Sequence, residues 1–176
     1  TAFSKRLFLE GYAAYGTTDR KIKYDALIEY SFNDKKEYRK EFPVNSIRLE
    51  YLYDINQLGQ QYMYTNKDNI FLAWKRQRDT RATYLRNAEL TYYREHYNGI
   101  AYGAVLRNKK EYSTDYAVFD RIEEDGRITP IKSYSMTELE FKFRYAPNEK
   151  FYQTRNYRYP ITFDAPVITL NHITAR

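Results

Sequence analysis

Residues 7–32 read LFLEGYAAYGTTDRKIKYDALIEYSF, and the spacing of their apolar side chains sets the fold class. Leu7, Leu9, Gly11, Ala13 and Tyr15 alternate with Phe8, Glu10, Tyr12 and Ala14. Ile22, Tyr24, Ala26, Ile28, Tyr30 and Phe32 alternate in the same way with Lys23, Asp25, Leu27, Glu29 and Ser31. Successive strand side chains point to opposite sides, so a period of two gives each segment one apolar and one mixed face. Between the segments, Gly16-Thr17-Thr18-Asp19-Arg20-Lys21 supplies the glycine and small polar residues on which a backbone reverses. The unit is a β-hairpin. Each arm is about ten residues long, roughly twice the usual globular strand and about what a tilted strand needs to cross a bilayer.

The same design recurs. Ile47, Leu49, Tyr51 and Tyr53 alternate with Arg48, Glu50, Leu52 and Asp54. The pair Thr83–Tyr93 and Ile100–Leu106 is a second hairpin, in which Ala88, Leu90 and Tyr92, then Ile100, Tyr102, Ala104 and Leu106, form the apolar rows and Asn98-Gly99 makes the turn. Leu139, Phe141, Phe143 and Tyr145 alternate with Glu138, Glu140, Lys142 and Arg144, and Val167–Ile173 reads as a last strand after Pro166. The charged segment Asn33–Pro43, the stretch Asn56–Asn69 with a hairpin near Tyr62–Tyr64, and the Pro- and Tyr-rich run up to Pro160 are expected connections. Asn108–Ser135 is an expected polar excursion carrying short strands at Tyr116–Phe119 and Arg127–Ile131.

A polar residue at every second position conflicts with a sandwich buried on both sides and fits a sheet between lipid and water. The expected fold is all-β, an antiparallel up-and-down meander in one domain over residues 1–176, forming a transmembrane β-barrel or a segment of one. The side chains expected to face lipid are Leu7, Leu9, Ile22, Tyr24, Ile28, Tyr30, Ile47, Leu49, Tyr51, Leu90, Tyr92, Tyr102, Leu139, Phe141 and Phe143. The opposite side meets a hydrated lumen.

Composition agrees with this reading. Aromatics are 18% of the chain, with 21 Tyr and 10 Phe against one Trp, and a ring that is apolar along its body and wet at its tip suits a membrane interface and equally a sugar or protein contact surface. There are no cysteines, which excludes disulfides and thiolate metal sites. The net charge of +6 allows attraction to phosphate groups. The lack of an apolar run of about twenty residues excludes a transmembrane helix, and a mean hydropathy of -0.84 does not decide against a barrel, whose strands give only alternate residues to lipid. The chain opens on Thr1 with no export signal ahead of the first strand and closes on Arg176 just after a strand, so it is expected to be a mature or excised piece whose barrel continues.

Chemistry is sparse. The run Ile70–Trp74 stops at the densest basic patch, where Lys75, Arg76, Arg78 and Arg81 are expected to form a solvated rim; the sharper reading is a clamp for lipopolysaccharide or nucleic-acid phosphates. His96 and His172 lie far apart and read as ordinary polar positions, and Asp120, Glu123, Glu124 and Asp125 lack the spacing of a calcium loop. No phosphate-cradling glycine loop and no nucleophile elbow is present. No catalytic residue, metal or cofactor is expected. Glu10, Glu29, Glu50, Glu89, Glu138 and Glu140 occupy the polar side of expected strands and read as lumen lining rather than as acid/base pairs.

Several phrases carry a resemblance: residues 9–16 (LEGYAAYG), Lys23-Tyr24 in the returning strand, residues 139–151 (LEFKFRYAPNEKF) and residues 166–170 (PVITL). Together they resemble the C-terminal barrel region of a family of uncharacterised Bacteroidota outer-membrane proteins, which carry an N-terminal carboxypeptidase-regulatory-like domain. The resemblance implies an outer-membrane location and a barrel segment, and nothing in this chain corresponds to the N-terminal domain. The expected role is structural, pore-forming or loop-presenting, and non-enzymatic. Its expected partners are outer-membrane lipid and the remaining strands of the same or a neighbouring chain, without nucleic acid. The rivals are a soluble β-sheet module that binds carbohydrate or protein through tyrosines, a nucleic-acid binder working through Lys75–Arg81, and an outer-membrane lipase or protease.

Overall fold

The structure, a computed structural model, describes residues 4–17, 19–34, 40–57, 82–115, 117–154, 157–162 and 166–176. Its strands are β1 (Leu7–Tyr15), β2 (Ile22–Ser31), β3 (Asn45–Gln57), β4 (Ala82–Glu95), β5 (Ile100–Tyr112), β6 (Phe119–Ile122), β7 (Ile128–Ile131), β8 (Ser133–Tyr145), β9 (Phe151–Gln153), β10 (Arg158–Pro160) and β11 (Ile168–Ala175). No helix occurs among the described residues. Seven strands form one sheet in the order β1-β2-β3-β4-β5-β8-β11, and β6–β7 and β9–β10 are small separate hairpins. Every neighbouring pair in the large sheet is antiparallel. The sheet is open, with β1 and β11 each leaving one edge unpaired among the described residues.

The all-β meander expected from the alternation is the observed one, with adjustments at the strand ends. β5 continues past Leu106 to Tyr112, where Asn108, Lys109, Lys110 and Glu111 are polar on both faces and carry no alternation. Pairing with β4 on one side and β8 on the other holds this part extended. The first excursion strand runs Phe119–Ile122, preceded by Thr114 and Ala117, which bond each other's backbone at 3.0 and 3.1 Å; Tyr116, where that strand is expected to start, lies outside the described residues. The connection before Pro160 holds the β9–β10 hairpin. The stretches around Tyr62–Tyr64 and Ile70–Trp74 lie outside the described residues.

Two tight turns mark the ends of the sheet, the Gly16 turn between β1 and β2 and the Gly99 turn between β4 and β5. Gly99 has φ +82°, and a Cβ there would lie 2.3 Å from the Ala146 carbonyl oxygen. Gly126, in the β6–β7 turn, has φ +81° but nothing within 4 Å of the same atom. Both positions charge an L-residue for left-handed backbone, and only Gly99 adds a collision. Gly99→Ala is therefore expected to lower stability by about 2 kcal/mol or more and Gly126→Ala by about 1 kcal/mol, readable as a difference in denaturation midpoints.

The register sorts side chains into two faces. On one, Leu9, Ile28, Leu49, Leu90, Leu106 and Leu139 lie in a row across six strands, flanked by the row Leu7, Tyr30, Ile47, Tyr92, Ala104 and Phe141. This apolar face is open, with Leu49 50% and Phe141 51% exposed. On the other, Leu27, Glu50, Glu89, Arg107 and Glu138 form one row, and Glu29, Arg48, Thr91, Val105 and Glu140 the next. The buried strand residues, Phe8, Leu27, Glu29, Ser31, Ser46, Thr83, Ala101, Val105 and Glu140, all belong to this second face. The covered side of the sheet is thus its charged side, the reverse of a soluble protein interior.

Candidate functional site

All fifteen residues expected to face lipid lie on the open apolar face, and the structure brings them into one continuous surface. The surface has a slope. The row through Gly11 passes Ala26, Tyr51, Ala88, Asn108 and Thr137 and ends just past β11 at Arg176, whose backbone bonds Thr137 at 2.7 and 2.9 Å. In β1 the apolar stripe is centred on Gly11; in β5 it runs from Ile100 to Leu106, in β8 from Leu139 to Tyr145, and in β11 it has moved to Ile168 and Leu170. Its midline falls by about seven residues over six strand spacings, ~23 Å along the strands against ~29 Å across them. The stripe crosses the strands at an angle corresponding to a tilt of roughly 40°, the value a barrel wall takes relative to its axis.

Tyrosines dominate one shoulder of this stripe. The rings of Tyr24 and Tyr51 are stacked with centroids 5.9 Å apart at 17°, and those of Tyr53 and Tyr84 at 6.0 Å and 13°. At these centroid distances the nearly parallel rings are offset neighbours along the face.

The covered face carries a ladder of ion pairs across β3, β4, β5 and β8. Glu50 and Glu89 oppose each other directly, a repulsive arrangement on neighbouring strands. Arg48 relieves it, its Nη2 lying 3.5 Å from Glu50 and 3.1 Å from Glu89. Arg107 then joins Glu89 at 2.8 Å to Glu138 at 2.7 Å, and Glu138 also holds Lys109 at 3.3 Å. Glu140 lies 3.4 Å from Lys142 and 3.7 Å from Arg107. Three buried atoms of this face, Asp25 Oδ1, Arg48 Nε and Asn87 Oδ1, have no hydrogen-bond partner among the described residues, so the side chains here call for solvent as well as for one another.

Toward the Gly99 end the face is roofed by two connections. The Arg158 guanidinium donates to both Glu95 oxygens at 2.7 and 3.1 Å, and the second of these also accepts from Val44 N at 2.9 Å. Arg158 lies over the rings of Phe151 and Phe42, which meet edge to face with centroids 5.0 Å apart. Gln153 accepts from Phe42 N at 3.1 Å and donates to the Lys40 carbonyl. Beneath lies a cavity of about 520 Å³ whose lining includes Glu29, Ser46, Arg48, Tyr93, Lys142 and Tyr157. Glu95, Gln153 and Arg158 had no local signal in the sequence: Glu95 stands in what reads as a turn, and its partner is 63 residues away.

At the opposite end, Asp19 in the Gly16 turn accepts from the Tyr84 hydroxyl at 2.8 Å and lies 3.0 Å from Lys23 Nζ. These donors, Tyr84 first, hold its carboxyl down at about 2. A depressed folded value means that the stabilisation is present above the ordinary carboxylate value and is lost as pH falls through the folded one. Amide protection of the Gly16 turn is expected to be constant down to about pH 4 and to disappear as pH falls through about 2, and Asp19→Asn to remove that dependence in hydrogen-exchange measurements.

The remaining sequence candidates are dispersed. His96 lies against Tyr102 with centroids 5.6 Å apart, and His172 lies 3.1 Å from the Thr174 hydroxyl across the sheet from Phe141. Asp125 pairs with Arg127 and Glu123 accepts from Thr129, so these acids close the β6–β7 turn. Among the described residues no group of three or more His, Asp or Glu is placed to hold a metal ion, and no helix is long and apolar enough to cross a membrane. Lys75, Arg76, Arg78 and Arg81 lie outside the described residues. Set against known protein families, curated proteins and solved structures, the chain finds no match.

Proposed function

We propose that this chain forms part of the wall of an outer-membrane β-barrel, held in lipid by its apolar face, with a structural and loop-presenting role and no catalytic one. The observation that carries the reading is the inverted sheet: charge on the covered side, Leu, Ile, Phe and Tyr on the open side, in a stripe inclined as a flat apolar layer would cut tilted strands. The ladder from Arg48 to Lys109 then lines a wet lumen, and the Phe42–Phe151–Arg158 roof narrows one mouth. The resemblance to the Bacteroidota barrel family belongs to the same proposal.

Strand direction adds a requirement. Six antiparallel steps separate β1 from β11, so the two edge strands run the same way. An all-antiparallel closure therefore takes an odd number of further strands, from this chain or a neighbouring one, and closure is needed because an unpaired backbone group in lipid costs several kcal/mol. The test is to compare the purified chain in plain buffer with the chain in detergent micelles or phosphatidylcholine vesicles. Strand-rich circular dichroism with a cooperative melt in micelles or vesicles alone is expected. A monomer that melts cooperatively in plain buffer would overturn the proposal.

A further inference from the structure

The open face is apolar except at a few positions; the Gly16 turn brings Asp19 and Lys21 to its edge at Tyr84, and the charged residues of the strands themselves share a sign. On the described strands of the large sheet it carries Arg86, Arg94 and Lys110, and no carboxylate. Arg86 and Lys110 are directly opposite each other on β4 and β5, a like-charge pairing that neighbouring strands ordinarily avoid. No carboxylate among the described residues relieves it; their neighbours are rings, with Arg86 5.3 Å from the centroid of Tyr51 and Lys110 5.2 Å from that of Tyr112. Asn108, Ser135 and Thr137 stand beside them and extend the polar patch. The covered face treats the same problem differently, inserting Arg48 beside the opposed Glu50 and Glu89.

Depth matches a particular partner. The two cations lie about six residues above the midline of the inclined stripe, ~15 Å along the normal once the tilt is included, which is where hydrocarbon gives way to headgroups. Arg94 lies nearer the midline toward the other end, and its long stem can carry the guanidinium outward. We infer that Arg86 and Lys110 form a seat for the phosphate of an anionic membrane lipid, with Tyr51 and Tyr112 at its sides and the acyl chains running down over Leu90 and Leu106. A phosphate between the two cations replaces their repulsion with two charge-assisted contacts. The inference rests on the membrane reading.

The experiment measures association of the chain with phosphatidylcholine vesicles, with and without about a quarter phosphatidylglycerol, at constant ionic strength. Four outcomes decide it. Roughly tenfold tighter association in the presence of phosphatidylglycerol, reduced to twofold or less in Arg86→Gln/Lys110→Gln but kept in the charge-matched Lys132→Gln/Lys150→Gln, supports the seat. A preference kept by the first double variant, or lost equally in both, overturns it and leaves the membrane reading standing. Association indifferent to phosphatidylglycerol in the unaltered chain overturns it as well. No association with either vesicle overturns the seat together with the membrane reading. Arg86 is exposed and Lys110 half-buried on a solvent-side patch, and strand-type circular dichroism of the variants verifies that the fold is intact.

Discussion

Arg107→Ala is expected to lower the unfolding free energy by about 2–4 kcal/mol, the largest loss from any single truncation on the charged face. Arg107 is the hinge of the ladder, bonded to Glu89 through Nε and to Glu138 through Nη1. Its two partners are only 13% and 12% exposed at their side chains. Removing the guanidinium leaves Glu89 with Arg48 and Glu138 with Lys109 as their remaining cations, both carboxylates being partly shielded from water, so the penalty is that of under-compensated charge rather than of one lost hydrogen bond. Arg107 itself is 20% exposed, which is why the figure sits below that for a fully buried pair. Urea unfolding in micelles measures it, and the triple variant Arg107→Ala/Glu89→Gln/Glu138→Gln is expected to recover only part of the loss, because the neutral amides need no counter-charge but Arg48 and Lys109 lose a partner each. A loss under about 0.5 kcal/mol for Arg107→Ala would mean that water reaches the charged face well enough to screen the whole ladder.

Leu90→Arg is expected to behave in opposite ways in the two environments that the fold allows. Leu90 stands in the central row of the open face, between Leu49 and Leu106, and is 40% exposed. If that face meets lipid, an arginine there lowers stability by about 2–4 kcal/mol, as for a cation near the middle of a barrel's apolar band. If the face meets water, the same change falls within about 0.5 kcal/mol and raises solubility. Ser135→Arg, on the same face but beyond the stripe, is the matched comparison and is expected to shift stability by less than about 1 kcal/mol in lipid. Denaturant titrations in vesicles give both values. Equal small effects for the two variants would remove the lipid assignment of the stripe.

Much of this was legible in the sequence because strand geometry is local. A side chain's face follows from counting by two, so the members of the apolar surface, from Leu7 to Phe143, could be named without knowing any strand's partner. The Gly16 and Gly99 turns were legible for a similar reason, since reversal needs particular residues at particular places. The end of β5 was not. Residues Asn108 to Glu111 have polar side chains on both sides, and they are extended because β4 and β8 pair with them, a cause that lies in other parts of the chain.

By itself, then, the amino-acid order determined an antiparallel meander of long two-faced strands and the membership of each face. Tertiary structure decided what those faces do. Only the register, set by hydrogen bonding between segments tens of residues apart, turns separate apolar stripes into one inclined band and brings Arg86 opposite Lys110. Only the folding of the connections brings Arg158 and Gln153 to Glu95 and Phe42, over spans of 63 and 111 residues. Pattern along a chain specifies direction of side chains, whereas proximity between distant charges exists only once the backbone has paired.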